Sequence, residues 1–220
     1  MKEGNKMKFR NTRPDGHKII IVLDTETSDG FSNPSVYDLG YVIYDMTDGK
    51  ILKERDYITS QIYDDPDRWA TAYYCDKRPL YETRLADGYC KKCYWGTMCR
   101  ILQNDIQDFQ PDGIYAYNSR FDRNAITSTC EKLGSKINPT ADGIIDIMDF
   151  IGVITETESY VNFCKDNGFM TKHRKPRPQK KAETLYRYLM GQTDFIEEHT
   201  ALADSRIELA ILLNALTHVE

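Results

Sequence analysis

The sequence predicts an α/β domain in which α-helices flank a mixed β-sheet. Three observations lead there. The β-branched apolar run from Lys18 to Leu23 has the composition of a strand buried on both faces. Two further extended runs, Val36 to Tyr44 and Ile51 to Ile58, enclose Asp48-Gly49, a strong hairpin signal. Beyond them, segments with helical spacing alternate with short apolar strands, so strands and helices mix within one domain.

Taken in order, residues 1–17 are polar, contain Pro14 and Gly16, and read as a mobile leader to a domain spanning 18–220. The three extended runs form an antiparallel meander. Residues 64–110 are rich in aromatic and charged side chains and hold four of the cysteines. Within them Tyr73, Tyr74, Tyr81, Tyr89, Tyr94 and Trp95 read first as a satellite core over the sheet. Stacking on unpaired bases is the functional alternative. Met98, Ile101, Leu102, Ile106 and Phe109 give Trp95 to Phe109 a helical period. After the Pro111-Asp112-Gly113 turn, Ile114 to Tyr117 is a short strand, and Asn118 is a candidate cap for a helix ending at Leu133-Gly134. A strand over Gly143 to Ile147 follows, then a helix over Ser159 to Asn167 closed by Gly168. Two more helices are expected, Glu183 to Met190 before Gly191 and Thr200 to Leu216.

Composition narrows the function classes. With 220 residues, 40% of them hydrophobic and 11% aromatic, the chain can bury a core, which excludes global disorder. No apolar run approaches the ~18 residues that span a bilayer, and the first residues lack the apolar stretch of a signal peptide. A cytoplasmic protein is expected. The net charge of −5 argues against a uniformly basic protein, but not against a nucleic-acid enzyme whose carboxylates gather around metal ions. Of six cysteines, Cys90-x-x-Cys93 with Cys75 and Cys99 makes one zinc candidate. Free thiols are the expected state of such a chain. Cys130 and Cys164, both in expected helices, read as buried small hydrophobes.

Three short segments carry chemistry. In Asp24-Thr25-Glu26, at the end of the first strand, the two acids are two residues apart and project from one face. Paired like charges there are costly, and a divalent cation with a preference for hard oxygen ligands, Mg²⁺ or Mn²⁺, neutralises them. Asp122, in Asn118-Ser-Arg-Phe-Asp122, sits in the first turn of a helix, where an acid also has the ordinary reading of complementing the helix dipole. His199-Thr-Ala-Leu-Ala-Asp204 opens the last helix, with the histidine on a loop free to swing. Singly, each of these has an ordinary structural explanation.

In this order the three segments resemble the three motifs of the DEDDh family of 3′→5′ exonucleases, which have an RNase H-like fold. The match runs from residue 19 to about residue 214, through Leu23-Asp-Thr-Glu-Thr-Ser, Asn118-x-x-Phe121-Asp122 and His199-x-Ala-x-x-Asp204. Ile145-Asp146-Ile147 looks like the family's Asp-bearing strand. The histidine five places before the last aspartate marks the His subclass. The resemblance implies that Asp24, Glu26, Asp122 and Asp204 hold two Mg²⁺ or Mn²⁺ ions, with His199 as general base, and that nucleoside 5′-monophosphates are released. It also implies that Thr27, Phe31, Asn118 and Phe121 contact substrate. The chain departs from the pattern after Thr27: Ser28-Asp29-Gly30-Phe31 stands where the family commonly has Thr-Gly-Leu, so that either Phe31, shifted by one residue, is the apolar wedge, or no residue is and Phe31 is a surface aromatic in a loop.

The remaining candidate is the run Lys172 to Lys181, with six Lys and Arg residues and two prolines. Its cations, Lys172, Arg174 and Lys175 among them, suit backbone phosphates, and its prolines predict an extended exposed connector. The leading expectation is a metal-dependent exonuclease on single-stranded DNA ends. RNA 3′-end trimming or an oligoribonuclease-type activity is the alternative. A non-catalytic nucleic-acid-binding module and a zinc-stabilised interaction domain are the readings of other classes. A homodimer, or a polymerase or repair partner, stays open.

Overall fold

The computed structural model describes residues 16–218 of the chain. The expected leader therefore lies outside the described residues up to position 15. His17, at its end, places Nδ1 2.6 Å from the Asp45 carboxylate. The sheet has six strands: β1 (Ile19–Ser28), β2 (Ser35–Asp45), β3 (Lys50–Thr59), β4 (Lys91–Cys93), β5 (Gly113–Ala116) and β6 (Ile145–Asp146). Their spatial order is β4-β3-β2-β1-β5-β6. β1, β2 and β3 form the expected antiparallel meander, while β4, β5 and β6 each join in parallel.

The helices are α1 (Ser60–Tyr63), α2 (Pro66–Trp69), α3 (Arg78–Ala86), α4 (Trp95–Phe109), α5 (Arg120–Lys132), α6 (Gly152–Thr155), α7 (Glu158–Asp166), α8 (Ala182–Met190) and α9 (Ala201–Thr217). β1 is the central strand, with helices over both faces, which is why its apolar run is continuous. Its residues still alternate. Ile20 and Val22 enter a core with α9 residues such as Leu209 and Leu212. Ile19, Ile21 and Leu23 enter the opposite core with α4 and α5, through Leu102, Ala125 and Ile126. A third cluster, in which Tyr63, Trp69 and Tyr81 surround Tyr37, lies under α1 to α3. Of the aromatics expected to form a satellite core only Tyr81 belongs to it: Trp95 enters the core with α4 and α5, and Tyr73, Tyr89 and Tyr94 are exposed.

Several elements differ from expectation. β1 runs on to Ser28 because Asp24 to Ser28 keep pairing with β2, across a bulge between Glu26 and Thr27. The polar sequence hid that extension. The strand expected over Gly143 to Ile147 is only two residues, because Asp146 accepts the Met148 N–H (2.9 Å) and turns the chain into a 3₁₀ helix. Residues 169–179 are not an extended connector but a hairpin-like loop. Thr171 N–H bonds to the Arg177 carbonyl (2.8 Å) and Gln179 N–H to that of Phe169 (2.9 Å).

The placement of α9 is specified closely. Gly40 of β2 pairs with Asp24 of β1, and a Cβ on Gly40 would lie 2.1 Å from the Leu202 amide nitrogen. Only glycine lets the helix backbone rest on the strand at that point. Ser205 Oγ donates to the Gly40 carbonyl at 3.0 Å, and Asp38 accepts the Ala201 N–H at 3.0 Å. Thr200, the N-cap, makes no side-chain capping bond, so a strand residue satisfies the amide that the helix leaves open. Gly40→Ala should therefore destabilise the protein by at least about 1–3 kcal/mol in urea denaturation, since α9 must move bodily. Gly152→Ala, where the nearest atom to a new Cβ is 3.7 Å away, is the neutral control.

Candidate active site

β1 and β5 lie side by side and parallel, and their carboxyl ends open at the point where the sheet changes from antiparallel to parallel pairing. A crevice at such a switch point is where open α/β sheets bind ligands. Here it is a cleft of about 680 Å³. Asp24 and Glu26 extend the row begun by Ile20 and Val22, so both face α9. On α9, Asp204 and Glu208 are one turn apart, both line the cleft, and both are buried.

Asp122 arrives from the opposite core face, in the first turn of α5, and is 2% exposed. Thr25, between the two β1 acids, donates its hydroxyl to Asp122 Oδ1 at 2.8 Å. The turn that delivers α5 is held from two sides: Tyr117 N–H donates to Glu208 Oε2 (3.1 Å) and Asn118 N–H to Asp146 Oδ1 (3.0 Å). Asn118 has φ +58°, which asparagine tolerates better than most residues. It is therefore not the helix cap that the sequence indicated. Ser119 holds that position, and Asn118 is the left-handed residue of the turn.

The His199 loop is pinned rather than free to swing. The imidazole stacks on Tyr74 with ring centroids 4.5 Å apart and planes 14° from parallel. Its Nδ1 lies 3.4 Å from Glu197 and 3.9 Å from Asp204. Neighbouring Glu198 accepts Arg84 at 2.7 Å, and its carbonyl accepts the Lys77 ammonium. The aromatic segment thus buttresses the histidine. Burial, with help from Lys77, lowers the His199 pKa and favours the neutral imidazole.

Every acid from the three motifs lines this one cleft, together with His199, Asn118 and Phe121. Thr27 does not line it, being half-buried in β1 past the bulge. Phe31 is 74% exposed beside the cleft, its ring 6.1 Å from that of Phe121 and 6.2 Å from that of Tyr73. Lys172, Arg174 and Lys175 are exposed on the hairpin, outside the cleft lining. The sequence reading missed Glu208, Glu197 and Glu183, all in the lining, which also holds Tyr74 from the aromatic segment and Lys180 and Lys181 from the end of the basic run. Glu208 had a usable signal, because it repeats Asp204 at helical spacing. The proposed zinc set does not assemble. Cys99 faces Cys130 at 4.0 Å, Cys90 lies in the aromatic cluster, and neither metal-competent group among the described residues contains a cysteine.

Seven carboxylates line the cleft against two lysines. Burial, reinforced by the neighbouring acids Glu208, Asp122, Asp204 and Glu26, drives Asp24 far above the usual carboxylate range. Burial and Asp204 do the same to Glu26. Asp122 is pushed up to about 7 and Asp204 to about 8, burial being the main cause in both. Asp204 Oδ1 is buried with no hydrogen-bond partner, and ligand atoms of Glu26, His199 and Asp204 lie within 4.8 Å of one another. Hard oxygen donors, an orphaned carboxylate oxygen and crowded negative charge fit a divalent cation of the Mg²⁺ or Mn²⁺ kind.

No protein-family model matches the sequence, and no curated protein matches it. Solved structures do. The nuclease domain of 3′hExo, a DEDDh family member bound to rAMP, superposes with a TM-score of 0.63 at 12% identity, over 91% of this chain and 92% of that one. This is the RNase H-like fold of the DEDDh exonucleases. E. coli Exonuclease I in complex with a dT13 oligonucleotide matches with a TM-score of 0.53 at 13% identity, over 91% of this chain and 41% of the larger protein. Among the described residues no helix is long and apolar enough to cross a membrane.

The raised carboxyls make a thermodynamic prediction. A group whose folded pKa exceeds its unfolded value stabilises the fold fully below the unfolded pKa, and that stability is lost as pH rises through the folded pKa. For Asp122 and Asp204 the window runs from about 4 to about 8. The metal-free protein should melt at a lower temperature at pH 8 than at pH 6, and Mn²⁺ should raise Tm more at pH 8. Differential scanning calorimetry at the two pH values, with EDTA or Mn²⁺, reads both effects.

Proposed function

We propose that the protein is a metal-dependent 3′→5′ exonuclease that hydrolyses the terminal phosphodiester of a single-stranded nucleic acid, single-stranded DNA first, and releases nucleoside 5′-monophosphates. The observation that carries this reading is the meeting of Asp24, Glu26, Asp122, Asp204 and His199 in one cleft, from three distant segments. The fold shared with 3′hExo and Exonuclease I supports it. RNA is the second reading, because the nuclease domain of 3′hExo is bound to rAMP and a 3′-exonuclease that superposes equally well is described as recognising the histone mRNA stem-loop.

In this reading Asp24, Glu26, Asp122 and Asp204 hold two divalent ions, which supply charge neutralisation and an acidified water when bound. His199, neutral because it is partly buried near Lys77, takes the proton of the attacking water. The new P–O bond forms as the bond to the 3′-oxygen breaks, and that oxygen leaves as a hydroxyl after taking a proton. Asn118 and Phe121 contact the terminal nucleotide, with Phe31 packed on Phe121 as the apolar wedge beside the last base. Thr27 acts on substrate at most through the β1 bulge.

A 3′-labelled oligonucleotide with Mg²⁺ tests the reading. Asp24→Asn and Asp204→Asn should each remove mononucleotide release while the protein stays folded. His199→Gln should lower kcat about 10²–10⁴-fold with little change in strand affinity. Undiminished release by either Asn variant would refute the site.

A further inference from the structure

The hairpin of residues 169–179 presents the chain's densest positive charge, and the cleft alone does not use it. Beside it runs a second groove of about 950 Å³, lined by His173, Arg174, Lys175, Arg177 and Lys180, with Glu156 as its acid. Lys180 lines this groove and the acidic cleft as well, so the two adjoin at that residue.

The hairpin is fastened to the domain where the two join. Tyr160 donates its hydroxyl to the Gln179 carbonyl at 2.6 Å, and the Tyr117 hydroxyl bonds the Lys180 carbonyl. Tyr117 is also the residue whose N–H bonds Glu208 in the cleft. A single residue thus ties the groove's return limb to the floor of the acidic cleft. The charge in the groove is unspent. Elsewhere Lys53, Arg55, Arg84, Lys132, Arg187 and Arg206 are paired with acids. Among the described residues, Lys172, Arg174, Lys175, Arg177, Lys180 and Lys181 form no salt bridge. In a protein of net charge −5, this leaves one basic track leading away from an acidic cleft.

We infer that this groove is a track for the phosphodiester backbone of the strand behind the reacting 3′ end, which makes the protein's substrate a polynucleotide rather than a di- or trinucleotide. The inference rests on the exonuclease reading for the direction of the strand. The acidic cleft needs cations before it accepts phosphate, whereas the groove attracts phosphate on its own. Affinity therefore comes from the groove and chemistry from the cleft. Regularly spaced phosphates match cations on an exposed hairpin, and they give binding that grows with strand length and falls with salt.

The test measures binding apart from turnover. Fluorescence anisotropy on the full chain carrying Asp24→Asn, which spares the probe, compares 5′-labelled oligo-dT and oligo-rU of roughly 20 and roughly 4 nucleotides over a salt series. Replacing Arg174, Lys175 and Arg177 together by Gln should weaken binding of the longer strand at least tenfold and lower its salt slope by about 2, at roughly 0.7 per phosphate contact. Binding of the short strand should change less than twofold. Glu156→Lys, which adds a cation to the groove, should tighten binding of the long strand and raise the slope by about 0.7. It provides an independent reading if the triple variant fails to fold. Equal weakening of both lengths, or no response of the long strand to either variant, overturns the track. An acidic protein as the groove's partner would give that second result. If the unsubstituted protein releases no nucleotide while the groove variants behave as expected, the exonuclease reading fails and the track stands.

Discussion

The site depends on one close approach, that of the first turn of α9 to β2 at Gly40. Cross-strand pairing puts Gly40 opposite Asp24 and Asp38 opposite Glu26. The helix rests on the pair of residues facing the two β1 acids, and its first two turns carry Asp204 and Glu208 over them. A methyl group at position 40 would force the helix outward and open the gap between these acids. Asp38 and Ser205 then fix the rotation of the helix, through the Ala201 amide and the Gly40 carbonyl. Burial of Leu202, Ile207, Leu209, Ile211, Leu212 and Ala215 holds it down, at about 1.5–3 kcal/mol for each of the larger side chains.

That packing creates an electrostatic cost which the protein alone does not offset. Buried Asp105 shows the contrast: it is bonded by Tyr41, Lys53 and Arg55, and lies below the usual carboxylate range despite its burial. The cleft acids have mainly each other. Thr25 serves Asp122 and the Tyr117 amide serves Glu208, while Asp204 Oδ1 has nothing. Asp105 has three donors, whereas these acids face one another, a repulsion that a cation bound among them would relieve.

Much of this was legible in the sequence. The Lys18–Leu23 run and the Asp48-Gly49 turn established the centre of the sheet, because continuous apolarity and turn chemistry are local signals. The helix over Trp95–Phe109 was read to the residue from its period. The acids were legible as an ordered set, since strand periodicity pairs Asp24 with Glu26 and helical position places Asp122 and Asp204. Tertiary features were not. The β1 extension is polar and is held by pairing with β2, and the hairpin's bonds cross a stretch whose prolines argued for extension. Glu197 and Glu183 join the site from positions whose chemistry depends on what faces them. Cys130 is buried in the core as its sequence position suggested, but its pairing with Cys99, from another helix, had no local signal.

The least expected contribution comes from the satellite around Trp69 and Tyr81. Its buried rings meet edge-to-face at 4.8–5.8 Å, which makes a stiff support. The segment that builds it also reaches the His199 loop at three points, through the Tyr74 ring, Arg84 on Glu198 and Lys77 on the Glu198 carbonyl. His199 has φ +55°, a conformation that costs a β-carbon-bearing residue energy and persists only where its surroundings hold it. The aromatic satellite is that restraint. In the proposed reading, an imidazole already fixed beside the acids loses little further freedom when substrate binds, so the stiffness of a cluster that does not line the cleft becomes positioning of His199.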